Sequence, residues 1–450
     1  MRGEIALEPR RRRRFDAASF LVLWTVLLVL IPASLVVSPL GAAGSPAALV
    51  GLLAGAWWLA ASLGRTESRF SGRDPVGIAA AVFLVAILLS YLAATVRPIE
   101  KVELSAADRG LLIVLSWLGV LALTASGLSG RPALDRVLRA LVVTTGLAAV
   151  LGVLQFLTHQ AYVDRLQIPG LSWNSSLTSV YGRNGFARTA GTSTHPIEFG
   201  VLLTMVLPIA LHLAFADDRS RLRRWWPVVA IAAAIPITLS RSTFLGLAVA
   251  LAVLLPTWPK RRRRLAYVWV ALGTLAVYSA LPGLLGTMGR LFTNVSSDSS
   301  AQSRVNSLNI ALHYWLQHPW TGRGFSTFLP AYRILDDQYL GLLVETGVVG
   351  VLALVSLLAT AIVVATRTRR SSSDPVVRSM ASALTATVAV AALACATFDA
   401  FGFPQVAAVL FLALGAIAAL SRATAPSVAP PVDEETRMTA EPAEWTRSPV

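Results

Sequence analysis

VGIAAAVFLVAILLSYLAATV, residues 76–96, runs for 21 positions without a charged side chain. A helix needs ~20 such residues to cross a bilayer. Arg69 and Arg73 precede this stretch, and the charge-balanced segment from Arg97 to Arg109 follows it. The pattern recurs in both directions along the chain. Apolar stretches lie at 17–40, 47–63, 76–96, 110–127, 136–158, 196–216, 226–239, 242–258, 265–281, 339–366, 376–398 and 404–421. The reading is an all-α, polytopic transmembrane helix bundle of about 12 spans. The seventh and eighth stretches are short and separated only by Ser240, Arg241 and Ser242, which fits either a tight hairpin or one re-entrant unit.

Composition agrees. Hydrophobic residues make up 55% of the chain and charged residues 14%, with a mean hydropathy of +0.64, outside the range of a chain whose surface is water. A net charge of +15 in a soluble protein points to nucleic acid, but here the basic residues punctuate apolar segments and read as topology signals. They gather at Arg10 to Arg14, at Arg65, Arg69 and Arg73, at Arg131 and Arg136, from Arg219 to Arg224, from Lys260 to Arg264, from Arg367 to Arg370, and at Arg422. By the positive-inside bias these segments are cytoplasmic, as are both termini. The long polar loops 159–195 and 282–338 are then extracytoplasmic, the second, between spans nine and ten, being large and helical. The expected organisation is a basic N-terminus at 1–16, a bundle at 17–422 and a disordered cytoplasmic tail at 423–450, rich in Pro, Glu, Thr and Ala. The apolar run after Arg14 is too long for a signal peptide. Cys395 is the single cysteine, so neither a disulfide framework nor a cysteine-based metal site is expected.

Polar groups are costly in lipid, so the charges at the outer boundary are the informative ones. Arg188 to Glu198 leads into the sixth span, with Pro196 in the favoured first-turn position and Arg188 placed to hold an anion or to anchor the interface. Arg241 sits between two short spans and points into the bundle or snorkels to headgroups. Arg304 begins a stretch whose Leu308, Ala311, Leu312 and Trp315 carry amphipathic helical spacing, ending at His318-Pro319 and Gly322-Arg323-Gly324. Asp336 and Asp337 stand at the mouth of the tenth span, and Glu345 lies six residues beyond Tyr339, ~9 Å deeper by helical rise. Guanidinium groups match phosphate oxygens bidentately, and a nearby carboxylate suits a general base. Together they read as an inventory for a phosphorylated lipid.

In this order, over roughly 185–365, the clusters resemble the O-antigen ligase and O-antigen polymerase superfamily of bacterial membrane glycosyltransferases. The matching pieces are the approach from Arg188 to Pro196, the Ser240-Arg241 turn, the Arg304 helix running to Gly322-Arg323-Gly324, and Asp337-Gln-Tyr339-Leu340 through Glu345-Thr-Gly347. The resemblance implies an inverting, metal-independent transfer of a glycan from a polyprenyl diphosphate carrier to an acceptor hydroxyl, on a glycan or a lipid, at the outer face of the plasma membrane. Exopolysaccharide or cell-wall glycan would be the product, with no cofactor and no nucleic acid involved. Membrane lipids and other glycan-assembly proteins would be its surroundings. Arg188, Arg241 and Arg304, with Arg323, would bind the diphosphate. The family's ligases often carry a histidine three residues before the tyrosine of the tenth span, where this chain has Asp336, so the base is open between Asp336, His195 and Glu345. Polymerase and ligase are not separated. The rival is a polytopic transporter or flippase of lipid-linked oligosaccharide, which would carry broken or polar helices at the bilayer midplane.

Overall fold

The computed structural model describes residues 16–64, 74–174, 180–183, 186–280, 286 and 299–424. Arg10 to Arg14, Arg65, Arg69, Arg73 and the tail from 425 lie outside the described residues. The described chain is mostly helical: α1 (Ala17–Leu30), α2 (Pro46–Leu63), α3 (Pro75–Val96), α4 (Lys101–Gly127), α5 (Arg131–Thr158), α6 (Pro196–Ala216), α7 (Arg221–Ile237), α8 (Arg241–Leu254), α9 (Lys260–Ala280), α10 (Ser299–Gln317), α11 (Gln338–Ser371), α12 (Pro375–Cys395) and α13 (Pro404–Ala423). Eight of these, α2 to α6 and α11 to α13, are long and apolar enough to cross a membrane. The protein is a multi-pass membrane protein.

The reason shows on α3. Ile78, Val82, Val85, Leu89 and Leu92 are exposed at three- and four-residue spacing, a continuous apolar stripe that water would penalise and lipid would not. Val76, Ala80, Phe83, Ile87, Ser90 and Ala94 line the opposite face and are buried. On α2, Gly51 and Gly55 let the backbone of α4 approach at Ser116 and Gly119, the small-residue packing that membranes favour. α13 is apolar all round and almost wholly enclosed, packing against α1, α3, α4, α5, α6, α11 and α12. It is the centre of the bundle.

Each of the twelve apolar stretches contains a helix, but the outlines differ in three places. The first helix stops at Leu30, before Pro32, because proline removes a donor and restricts the residue before it. Its 14 residues rise about 21 Å, short of the ~30 Å hydrocarbon layer. The rest of that stretch, β1 (Leu35–Val36), pairs antiparallel with β2 (Ser172–Trp173) from the long loop. Lys101 to Arg109, expected as a connection, is the first part of α4. The chain is also not purely helical, since β3 (Val180–Arg183) and β4 (Phe186–Thr189) form a second antiparallel pair.

α11 is broken at Gly347, where φ is 64° and ψ is −166°. That conformation belongs to glycine. The segment after α10 closes the break: Val348 and Val349 donate to the carbonyls of Pro319 and Trp320, while Arg323 and Gly324 donate to the carbonyls of Val344 and Glu345. Four backbone groups at the break thus find partners in this segment, and Ser90 adds a second donor to the Glu345 carbonyl, bonds that a membrane setting makes valuable.

Candidate functional site

Arg188 reaches the turn that leads into Arg241. It is buried, at 8% exposure, and its Nε donates to the carbonyl of Thr238 at 3.0 Å. Thr238 caps α7, Ser240 caps α8 and Arg241 is the first residue of α8, so the two arginine clusters meet across one turn. Leu239, within that turn, is fully buried with φ +47°, a strained value for a bulky side chain. α7 and α8 meet at this turn, and each packs on α6 rather than along the other.

The approach to α6 is fastened residue by residue. Gln155 exchanges two hydrogen bonds with the backbone of Gly191, at 3.0 and 3.1 Å. Thr192 donates to the carbonyl of Val29, and Ser193 donates to Oε1 of Gln405. Glu198 is fully buried and accepts from the amide and hydroxyl of Thr194 and from the amide of Gln405, each at 2.7 Å. Three donors on one buried carboxylate satisfy it locally.

His195 caps α6, its Nδ1 accepting from the amide of Ile197 at 3.1 Å. That bond puts the ring proton on Nε2, which makes His195 a donor toward a ligand rather than a base. Burial, with the Arg188 charge adding to it, pulls its imidazole down to about 4 from the usual 6.5. The unfolded chain therefore binds more protons between those values. His195 contributes nothing adverse above pH 6.5, and stability is lost as pH falls from 6.5 through 4, by on the order of 3 kcal/mol in all. Thermal unfolding in detergent at pH 7.5 and pH 5 is expected to show a smaller acid loss for His195→Gln than for the wild type. An equal loss in both contradicts this assignment.

At the mouth of α11, Asp337 is the helix cap, accepting from Leu340 at 3.0 Å. Asp336 precedes it, half-buried, in the left-handed region at φ +52°. Gln338 accepts from the amide of Phe401 at 2.7 Å, and Tyr339 donates to the carbonyl of Ala392 at 3.0 Å. These bonds dock α11 on the end of α12 and on the α12–α13 connector. The connector also presents Phe403, whose ring lies 6.2 Å from that of His195, and Asp399, a carboxylate near enough to Asp336 for the two like charges to repel. It links the His195 region to the Asp336 region. Sequence reading passed over Asp399, Phe403 and Gln405; the signal was a polar pair inside Phe398-Asp-Ala-Phe-Gly-Phe-Pro-Gln405, between two apolar spans.

Arg323 and Glu345 take structural places. Nη2 of Arg323 bonds Glu103, which is 3% exposed and also takes Arg97 at 3.2 Å and the hydroxyl of Tyr332 at 3.0 Å. The rings of Tyr314, Phe328 and Tyr332 surround the Arg323 guanidinium, its carbon lying 5.3 to 5.7 Å from their centroids, which is cation–π range. The charge expected to meet a diphosphate is thus matched by Glu103. Oε1 of Glu345 accepts from the amide of Phe328 at 3.3 Å, holding this loop on α11. Arg304 is in α10, and its side chain lies outside the described residues. Glu103→Ala leaves two guanidinium groups uncompensated and is expected to destabilise by about 3 kcal/mol, read as a lowered unfolding temperature in detergent; an unchanged midpoint refutes it.

Residues 226–355 match the O-antigen ligase family model. The match to the O-antigen ligase family lies in this segment, under a third of the chain. No curated protein matches the chain. The matched segment contains Arg241, Arg304, Arg323, Asp336 and Glu345. Arg188 and His195 precede it in sequence. Arg188 is joined to it in space through Thr238, while His195 packs near Phe403, beyond its end.

Proposed function

We propose that the protein transfers a glycan from a polyprenyl diphosphate carrier to a hydroxyl acceptor at the outer face of the plasma membrane, lengthening a polymer or attaching one. The observation that carries this is the bond from Arg188 to Thr238, which brings a second arginine to the start of α8 from outside the family segment. Two guanidiniums at one turn, with Arg304 as the third, suit the two phosphates of the leaving group. The acceptor oxygen attacks the anomeric carbon and its proton passes to Asp336. The bond from that carbon to the diphosphate oxygen breaks, and the electron pair leaves with the diphosphate. Asp336 is the base in this reading because Nδ1 of His195 is occupied and Glu345 is tied to the loop. The twelve-span arrangement with cytoplasmic termini belongs to the same proposal, resting on the basic segments.

The break in α11 is the one feature a transporter would share. Its open backbone groups, however, are closed by the Pro319–Gly324 segment rather than offered to a substrate. Proteoliposomes loaded with a lipid-linked repeat unit decide between the readings: lengthened or transferred glycan is expected, and flux without any new linkage overturns the proposal. Asp336→Asn is expected to lower the transfer rate about 100-fold or more, while Asp336→His, which restores the base the resembled ligases carry, keeps substantial activity. Full activity in Asp336→Asn removes Asp336 from the mechanism.

A further inference from the structure

The opposite, basic end of the bundle holds a second polar site. A cavity of about 130 Å³ is lined there by Arg131, Asp135, Arg139, His212, Asp217 and Asp218, with Leu213, Ala216 and Val376. Arg131, Asp135 and Arg139 are spaced four residues apart on α5, so they share one face. Arg131 bonds Asp374 at 2.7 Å and lies 3.7 Å from Oδ2 of Asp135. Arg139 is paired with Asp217, and Arg219 lies 3.7 Å from the same carboxylate. His212 is 3% exposed, with Nδ1 bonded to the hydroxyl of Ser379 at 2.9 Å.

Two atoms lining this cavity make no hydrogen bond among the described residues: Nε2 of His212 and Oδ1 of Asp135. A buried ring nitrogen left this way is costly in a packed bundle, which points to a ligand. The lining alternates in sign, and that restricts what the ligand is. A simple anion meets the Asp135 and Asp217 carboxylates, and a simple cation meets Arg131 and Arg139. A group carrying both signs a few ångströms apart meets neither conflict. A primary ammonium has three N–H donors, enough to serve Oδ1 of Asp135 and Nε2 of His212 together, provided that Nδ1 of His212 carries the ring proton toward Ser379. The two arginines then face the anionic part, with the geometry suited to phosphate. α5 begins at Arg131, so the cavity lies within about two helical turns of that end, next to the boundary where headgroups sit.

We propose that this cavity binds a primary ammonium carried beside a phosphate, the chemistry of an aminoethyl phosphate lipid headgroup. The site is separate from the glycan-transfer reading and stands whether or not that reading holds.

The test uses the full-length protein in detergent, titrated with short-chain phosphatidylethanolamine, phosphatidylcholine and phosphatidylglycerol, and with free phosphoethanolamine. Phosphatidylethanolamine is expected to bind at least about tenfold more tightly than phosphatidylcholine, whose trimethylammonium has no N–H to donate. Asp135→Asn and His212→Leu are each expected to erase that preference while the protein still unfolds cooperatively. Comparing the two lipids on the wild type needs no variant to fold. Free phosphoethanolamine binding as tightly as the lipid supports the same chemistry with a soluble source. Equal affinity for the two lipids, a preference for phosphatidylglycerol, or binding of no probe, the cavity then holding water only, overturns the proposal.

Discussion

Gly347→Ala is expected to leave no folded protein in the membrane fraction, whereas Gly341→Ala on the same helix is expected to be tolerated. At Gly347 the backbone has φ 64° and ψ −166°, a region closed to side-chain-bearing residues. Relaxing the angle does not solve the problem, because a Cβ at this position runs into the backbone of Trp320 and approaches the carbonyl oxygen of Pro319 to 2.7 Å. Pushing that segment away opens the hydrogen bonds from Val348 and Val349 and those from Arg323 and Gly324. Four backbone bonds lost in a low-dielectric setting, plus strain, exceed about 5 kcal/mol. At Gly341 a Cβ meets only Nε2 of Gln338 at 3.9 Å, and alanine is the better helix former. Size-exclusion profiles of the detergent-extracted variants are the measurement. A monodisperse Gly347→Ala protein at wild-type yield refutes the account.

Arg188→Ala is expected to cut glycan transfer by about 10²- to 10³-fold, the effect of removing one preorganised donor from developing negative charge. Arg188 also holds the Thr238 turn, so the loss needs separating from a mere loosening. Thr243→Ala removes the hydroxyl that accepts from Thr238 at 3.2 Å without removing charge, and is expected to keep most activity. Arg188→Lys retains the charge but not the planar fork and falls between the two. The same transfer assay reads all three, with cooperative unfolding as the control for folding. Wild-type rates in Arg188→Ala remove the diphosphate role.

The bundle was largely readable before the structure because lipid imposes a length and a composition on each crossing. The α3 stripe from Ile78 to Leu92 was written in the spacing of its apolar residues. The end of α1 was not, since Leu35 and Val36 are as apolar as what precedes them, and only their pairing with Ser172 and Trp173 takes them out of the helix. The start of α4 was hidden for the opposite reason: Lys101, Glu103 and Arg109 look like a loop, but Glu103 is the counter-charge of Arg97 and Arg323. At the site, residue types were legible and partnerships were not. Arg323 looked available for a phosphate because Glu103 lies 220 positions away. Arg188 and Arg241 were read as separate clusters because the Thr238 carbonyl that joins them is a backbone atom with no signature in the sequence. Gln405 showed only as a polar residue between two apolar spans, which does not say what it bonds.

That glutamine has a consequence for how the protein is made. Its side chain donates to the carbonyl of Leu28 at 3.0 Å and accepts from Ser193, while its amide reaches Glu198. It therefore pins the end of α1 to the entrance of α6, and it rides on α13, which leaves the ribosome after the other twelve described helices. Until α13 slides into the middle of its neighbours, Glu198 lacks one of its three donors and the His195 end of the site has no Phe403 beside it. Chains interrupted before residue 404 would lack the clasp that sets Arg188 and His195 in place, so the site becomes complete only once α13 has arrived.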